Sequence, residues 1–132
     1  MFGRRKQPPI KSLIAGGTVI RGDVEFLDGL RIDGEVHGNV RSAAGQPTLL
    51  VISESATVVG EVEADLVVIN GRVQGPVKAA DLLELQPKAR VQGDVSYKAL
   101  EMHQGATIAG QLVPLVEAPA EKPPLVLAAS NG

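Results

Sequence analysis

Two pairs of glutamates come nearest to a spacing that could support acid–base chemistry. Glu61 and Glu63 are two positions apart and would share one face of a strand, whereas Glu84 and Glu101 occupy equivalent positions of successive repeats. Carboxylates stacked about 4.8 Å apart repel each other or share a proton or a cation, as the pair in a polysaccharide lyase or hydrolase would. Such enzymes bind substrate with aromatic side chains, and this chain has only 2 Phe, 1 Tyr and no Trp. We therefore expect a solvated acidic face.

The other side chains that could carry chemistry are few and dispersed. The 2 histidines, His37 and His103, fall about four repeats apart and point outward by alternation, so no shared zinc site is expected. The chain has no cysteine, which excludes disulfides and a thiolate nucleophile. The serines have no histidine nearby, and the phosphate-binding pattern GxxxxGK[ST] is missing. We predict a protein that is not an enzyme and that uses no metal, cofactor or nucleotide.

Charge is distributed unevenly between a basic tip and an acidic body. Residues 1–13 carry four basic side chains and no acid, a net +4, and the other residues carry 9 basic and 15 acidic ones, a net -6. The acidic body, poor in aromatics, is unsuited to nucleic acid. No apolar run reaches the roughly 18 residues of a spanning helix, and Pro8 and Pro9 follow the basic residues where a secretory leader would be apolar. We expect a soluble cytoplasmic protein.

A five-residue unit, aliphatic-x-Gly-x-aliphatic, recurs along the chain. Its central glycines close successive repeats about 17 residues long, with one longer interval that contains an inserted loop at residues 43–47. These glycines are Gly22, Gly38, Gly60, Gly75, Gly93 and Gly110. Each repeat opens on aliphatic-x-aliphatic, so the apolar period is two, which is typical of strands. Frequent glycine would destabilise a helix by about 1 kcal/mol per residue.

Short strands in repeats of this length predict an all-β fold. We expect a single right-handed β-helix, or solenoid, of about six short coils with three faces, over residues 12–113. The flanking segments 1–11 and 114–132 are rich in proline and are expected to be disordered tails.

The ends of such a solenoid are its most informative part. A terminal coil exposes unpaired backbone groups and an open apolar core, and solenoids that remain monomeric need polar caps. Neither end of this sequence shows a capping helix, so we expect the ends to stack on other copies and polymerise, unless the tails fold back as caps. The residues expected at the polymerising ends are Ile14, Ile20, Val24, Met102, Ile108, Leu112, Val113 and Leu115.

The sequence resembles the bactofilins. The resemblance rests on the repeating [IV]-x-G-x-V units, the lack of cysteine, the proline-rich tails and an opening of Met-Phe followed by basic residues. This resemblance implies a polymer-forming bacterial cytoskeletal protein whose β-helices join end to end, without nucleotide, into non-polar filaments. It further implies association with the inner face of the cytoplasmic membrane and scaffolding of cell-shape, cell-wall or polar-organisation factors. In the family a hydrophobic residue of the last coil, often Phe, supports polymerisation, and here Leu112, Val113 or Leu115 would take that position.

Two further surfaces are candidate contacts. The N-terminal tip is expected to bind an anionic membrane, with apolar residues entering the lipid interface and basic ones facing the headgroups. The tip comprises Met1, Phe2, Arg4, Arg5 and Lys6. An outward apolar strip of Val51, Val59 and Val68 could form a lateral contact for bundling or for a client. The tip could instead dock on a protein or merely keep the chain in solution, and the valine strip could be an ordinary surface that tolerates apolar residues. For the whole protein, the alternative is a non-filamentous solenoid adaptor that displays its tails to protein partners.

Overall fold

The computed structural model describes residues 8–43 and 47–115. These residues form strands and turns, and they contain no helix and therefore no helix that could cross a membrane. The 15 strands are β1 Ser12–Ile14, β2 Val19–Arg21, β3 Val24–Phe26, β4 Gly29–Ile32, β5 Glu35–His37, β6 Val40–Ser42, β7 Leu49–Ile52, β8 Thr57–Val59, β9 Val62–Ile69, β10 Arg72–Gln74, β11 Val77–Leu85, β12 Arg90–Gln92, β13 Val95–Met102, β14 Thr107–Ala109 and β15 Leu112–Pro114.

The strands wind into six coils, each of which contributes one short strand to each of three faces. Coil 1 consists of β1, β2 and β3, and coil 2 of β4, β5 and β6. From coil 3 onward, β9, β11 and β13 each bend across a corner and so serve the third face of one coil and the first face of the next. All the strand pairs are parallel and join each coil to the next. The predicted all-β solenoid of about six coils is confirmed, and its right-handed sense stays a prediction.

Aliphatic side chains stack in four inward columns along the solenoid axis. Because side chains alternate between the two sides of a strand, the residues that open and close each repeat all face the core. The columns are Leu30, Leu50, Val67, Leu83 and Leu100; Ile14, Ile32, Ile52, Ile69, Leu85 and Met102; Ile20, Val36, Val58, Val73, Val91 and Ile108; and Val24, Val40, Val62, Val77, Val95 and Leu112. The register predicted from the repeats is confirmed.

The glycines of the repeating unit lie where one face turns into the next. Gly60 has a φ of 149°, which L side chains rarely adopt, and a Cβ built on it would contact the carbonyl oxygen of Gly38 in the previous coil. The equivalent glycine of coil 1, Gly22, also has a positive φ, of 136°, but a Cβ there would meet nothing within 4 Å. From coil 2 onward, these glycines therefore let successive backbones approach closely at this corner.

Pairing extends slightly beyond the predicted limits of 12 and 113. The backbone N–H of Lys11 donates to the carbonyl of Gly29 at 3.0 Å, and that of Leu115 donates to the carbonyl of Tyr97 at 2.6 Å. Between β6 and β7 the chain makes the inserted loop, beyond which the buried Thr48 hydrogen-bonds the carboxylate of Asp65 through both its backbone N–H and its hydroxyl. Both predicted tails lie largely outside the described residues.

Candidate functional site at the ends of the solenoid

The first and last coils expose strand edges. In coil 1, each of the strands β1, β2 and β3 pairs with a single neighbour, in coil 2. In coil 6, β14 pairs only with β12, β15 only with β13, and the second half of β13 only with β11. Within the described part of the chain, both ends of the solenoid therefore present one unpaired edge on each of the three faces. Such edges are templates for pairing with another chain.

The apolar core is open at the last coil. Along one inward column, Ile52 and Ile69 are 0% exposed, whereas Met102, which continues that column, is 46% exposed. Leu112 ends another column and is 49% exposed, although Val95 directly before it is fully buried. Because the inward side chains of coil 6 have a neighbouring coil on one side only, they keep apolar surface in contact with water.

Large exposed hydrophobic residues in the described segments are confined to the two ends of the solenoid. Those near coil 1 are Ile10, Leu13, Val19 and Leu27, and those in coil 6 are Met102, Leu112 and Val113. Clustered apolar exposure of this kind marks an interaction surface more often than single exposed residues do. The middle four coils carry none, so the surface that could bind another apolar surface is divided between the ends.

The structure brings the predicted end residues together in two groups, one at each end. Ile14 is buried, and Ile20 and Val24 are half-buried against the core. In coil 6, Ile108 is half-buried and Val113 is 40% exposed. Leu115 is half-buried beyond the last strand.

Sequence reasoning missed the four exposed hydrophobic residues near coil 1. Leu13 and Val19 occupy outward positions of their strands, at which the next coil carries Arg31 and Glu35. The sequence does contain a signal for these two residues. Each is apolar at an outward position where the next coil carries a charged residue.

The three valines of the predicted lateral strip do not form one continuous surface. Val51 on β7 and Val68 on β9 are register partners on the first face of the solenoid, and both are half-buried. Val59 lies on β8 in the second face, where its partners are His37 on β5 and Gln74 on β10. The face that carries Val51 and Val68 is therefore distinct from the face that carries Val59.

A small polar cluster lies on the outer surface of the last two coils. Glu84 and Glu101 are register partners, as predicted, and His103 Nε2 lies 3.1 Å from Glu84 Oε2. The sequence pattern had placed His103 on the surface without this contact, because alternation fixes the side of a strand and not the direction of a long side chain. The three side chains could each offer one atom to an ion, and these atoms lie within 4.8 Å of one another. His103 and Glu84 also satisfy each other as an exposed pair.

A shallow groove of about 460 Å³ runs beside Val51 and Val68. Arg31 and Asp33 line one end, where the Arg31 Nε donates to Asp33 Oδ1 at 2.9 Å. Hydrogen bonding from Ser53, and then the contact with Arg31, hold the pKa of Asp33 below its usual value. Ser53, whose side chain hydrogen-bonds Asp33, also lines the groove.

The predicted membrane tip, Met1, Phe2, Arg4, Arg5 and Lys6, lies outside the described residues. Residues 8–11 precede β1 of coil 1, and Lys11 Nζ lies 3.3 Å from Asp28 Oδ2. In the sequence, the tip is thus joined to coil 1 and not to coil 6.

Comparison with known proteins identifies one family. The profile of the family named Bactofilin, described as polymer-forming cytoskeletal, matches residues 12–113. The chain is also 30% identical over 111 residues to Bactofilin BacO of Myxococcus xanthus, covering 84% of this chain and 85% of that protein. No solved structure matches the chain significantly. The matched residues are the six coils described above.

Proposed function

The chain belongs to the bactofilin family of polymer-forming cytoskeletal proteins, and from this premise we propose that its two open ends are the polymerising surfaces. Like ends meet, coil 1 on coil 1 and coil 6 on coil 6, which gives a filament without polarity. Assembly needs no nucleotide and no metal. The filament lies at the inner face of the bacterial cytoplasmic membrane and positions client proteins there.

The observation that supports this proposal is the confinement of exposed large hydrophobic residues to the ends. Met102 is 46% and Leu112 49% exposed, so burying the remainder contributes about half of the roughly 1.5–3 kcal/mol expected for a fully exposed side chain, and a junction between two coil 6 ends buries such residues from both copies. Strand edges that meet at the junction also satisfy each other's backbone N–H and C=O groups. Among the described residues, open strand edges and exposed inward side chains occur at coils 1 and 6 alone, so association continues along the solenoid axis.

Purified full-length protein in EDTA, without nucleotide, is expected to form long thin filaments in negative-stain electron micrographs. Most of it is expected to sediment at ultracentrifuge speeds, and added nucleotide changes neither result. Uniform small particles with a discrete mass at every salt concentration would contradict the proposal and favour the adaptor, a solenoid that displays its tails without polymerising.

The membrane association proposed here rests on the N-terminal tip. Arg4, Arg5 and Lys6 each contribute about 1 kcal/mol against anionic lipid, and Phe2 adds interfacial burial. A single tip binds weakly, but a filament displays many tips and gains avidity. Clients would be held along the same membrane surface, within reach of the tails.

Deletion of residues 2–6 is expected to weaken binding to phosphatidylglycerol vesicles about 100-fold, because about 3 kcal/mol of electrostatic attraction is removed. Filament formation is expected to continue, since the deletion leaves coil 1 intact. Co-sedimentation with vesicles measures the first result and electron microscopy the second, with neutral phosphatidylcholine vesicles as the control. Unchanged binding to the anionic vesicles would refute the tip's role.

A further inference from the structure

We propose that the polar cluster on the outer surface of coils 5 and 6 binds a divalent transition-metal ion of the Zn²⁺ type. The polar cluster is defined as Glu84, Glu101 and His103. Its donors are one imidazole nitrogen and two carboxylates. The imidazole favours Zn²⁺ and its first-row neighbours over Mg²⁺ and Ca²⁺, which prefer oxygen ligands alone. All three ligands come from a single chain, so the site goes beyond the proposed function and does not depend on filament formation.

The separations between the ligand atoms fit a tetrahedral ion. Bonds of about 2.0–2.1 Å from Zn²⁺ to nitrogen and oxygen place two ligand atoms of a tetrahedron about 3.3 Å apart. His103 Nε2 and Glu84 Oε2 lie 3.1 Å apart, and all the ligand atoms lie within 4.8 Å of one another. The larger gap is closed by rotation of the Glu101 side chain, which is exposed. Water would complete the coordination on the solvent side.

The strand ladder holds the three ligand positions before an ion binds. Glu84 and Glu101 are register partners on the parallel strands β11 and β13. The backbone N–H of His103 donates to the carbonyl of Leu85 in coil 5 at 2.8 Å, which fixes the start of the turn after β13. Gln86 Nε2 donates to Glu84 Oε2 at 3.4 Å and so orients this carboxylate from outside the donor set. Ligands carried by strands keep their geometry better than ligands on loops.

The two glutamates of the cluster have no cationic side chain of lysine or arginine to compensate them. Like charges directly opposite one another on neighbouring strands destabilise a sheet. On the third face, the outward Glu63 has Arg41 and Lys78 as its register partners, so its charge is compensated on both sides. In the described part of the chain, no lysine or arginine forms an ion pair with Glu84 or Glu101. A divalent cation bound between these two carboxylates would neutralise them.

The ion would join coil 6 to coil 5. Glu84 belongs to coil 5, whereas Glu101 and His103 belong to coil 6. Because coil 6 has a neighbouring coil on one side only, its hydrogen bonds to coil 5 open more easily than those between inner coils. An ion that binds the closed ladder and not the opened one suppresses this opening by mass action. The ion is therefore a clamp on the last coil and not a requirement for assembly.

Isothermal titration calorimetry with ZnCl₂ tests the site on untagged full-length protein that has been stripped with EDTA and dialysed. Binding of one ion per chain is expected. His103→Ala and Glu101→Gln are each expected to weaken binding at least about tenfold, because each variant removes one of three ligands. Mg²⁺ and Ca²⁺ are expected to bind at least about tenfold more weakly than Zn²⁺, since the imidazole contributes little to their coordination. Circular dichroism without metal checks that the variants fold.

His37→Ala is the matched control. His37 also lies near a glutamate, with its Nε2 3.9 Å from Glu35 Oε1, but its register partners are Arg21 and Val59, which supply no second carboxylate. This variant is expected to bind Zn²⁺ as the wild type does. Wild-type protein without zinc binding, or a His103→Ala variant with wild-type affinity, would overturn the inference, and neither result bears on the proposed function.

Hydrogen exchange of the backbone N–H of His103, which donates to the carbonyl of Leu85, measures the clamp directly. At free Zn²⁺ about 100 times the dissociation constant, exchange of this amide is expected to slow about 100-fold in the wild type. At the same Zn²⁺ concentration, it is expected to slow no more than about tenfold in Glu101→Gln. Zinc binding that leaves the wild-type exchange rate unchanged would contradict a site that joins coils 5 and 6.

Discussion

Replacement of Ile108 by glutamate is expected to abolish filaments while leaving the solenoid folded. Ile108 ends an inward column in coil 6 and is half-buried, so in a free chain a carboxylate there still reaches water. In a junction the same carboxylate is buried without a partner, which costs about 3–5 kcal/mol. The concentration needed for assembly rises at least about 100-fold. Sedimentation and electron microscopy measure assembly, and circular dichroism measures the fold.

Ala109→Glu is the matched control for this variant. Ala109 lies on the same edge strand, but alternation points its side chain outward, so the charge remains solvated after assembly. If Ile108→Glu fails to fold, Leu112→Glu makes the same test at a side chain that is 49% exposed and whose replacement leaves the inner coils undisturbed. Folded variants that still form long filaments would refute polymerisation through coil 6.

Replacement of Gly60 by alanine is expected to lower the free energy of unfolding by about 3 kcal/mol. Two physical effects add at this position. The φ of 149° is unfavourable for an L side chain, and the new Cβ collides with the Gly38 carbonyl in the coil before it. Backbone atoms cannot rotate away, so coils 2 and 3 must separate at this corner. Thermal unfolding followed by circular dichroism, in the Ile108→Glu background to remove assembly, measures the loss.

Gly22→Ala separates the two effects at the equivalent corner of coil 1. Its φ of 136° imposes the same kind of backbone strain, but a Cβ there meets nothing within 4 Å. The loss of stability is expected to be clearly smaller than for Gly60→Ala. Equal losses would mean that backbone conformation alone, rather than close coil stacking, explains the need for glycine.

The coils could be predicted from the sequence because the same pattern of aliphatic residues around a glycine recurs in each of them. Val58, Val73 and Val91 each stand next to the same glycine pattern, and a column of buried valines is the arrangement that places all of them in one core. A period of two also fixes which side of the strand each residue occupies. Register and the identity of the inward residues therefore follow from spacing alone.

Features that depend on individual side chains and on chain ends could not be predicted in this way. The contact between His103 and Glu84 depends on side-chain rotamers, which spacing does not specify. The separation of Val59 from Val51 and Val68 depends on which face each strand joins. Leu13 follows the predicted alternation. That it is apolar at an outward position becomes notable only when it is compared with the outward residue of the next coil, Arg31.

Cryo-electron microscopy of wild-type filaments tests the central claim most directly. We expect solenoids aligned along the filament axis, with junctions between like ends at which the half-buried Ile20 and Val24 of coil 1, or Ile108 and Leu112 of coil 6, become fully buried. We also expect the ladder of strands to continue across each junction without a gap. Filaments whose junctions leave coils 1 and 6 exposed to solvent, or solenoids that join through their side faces alone, would contradict the claim.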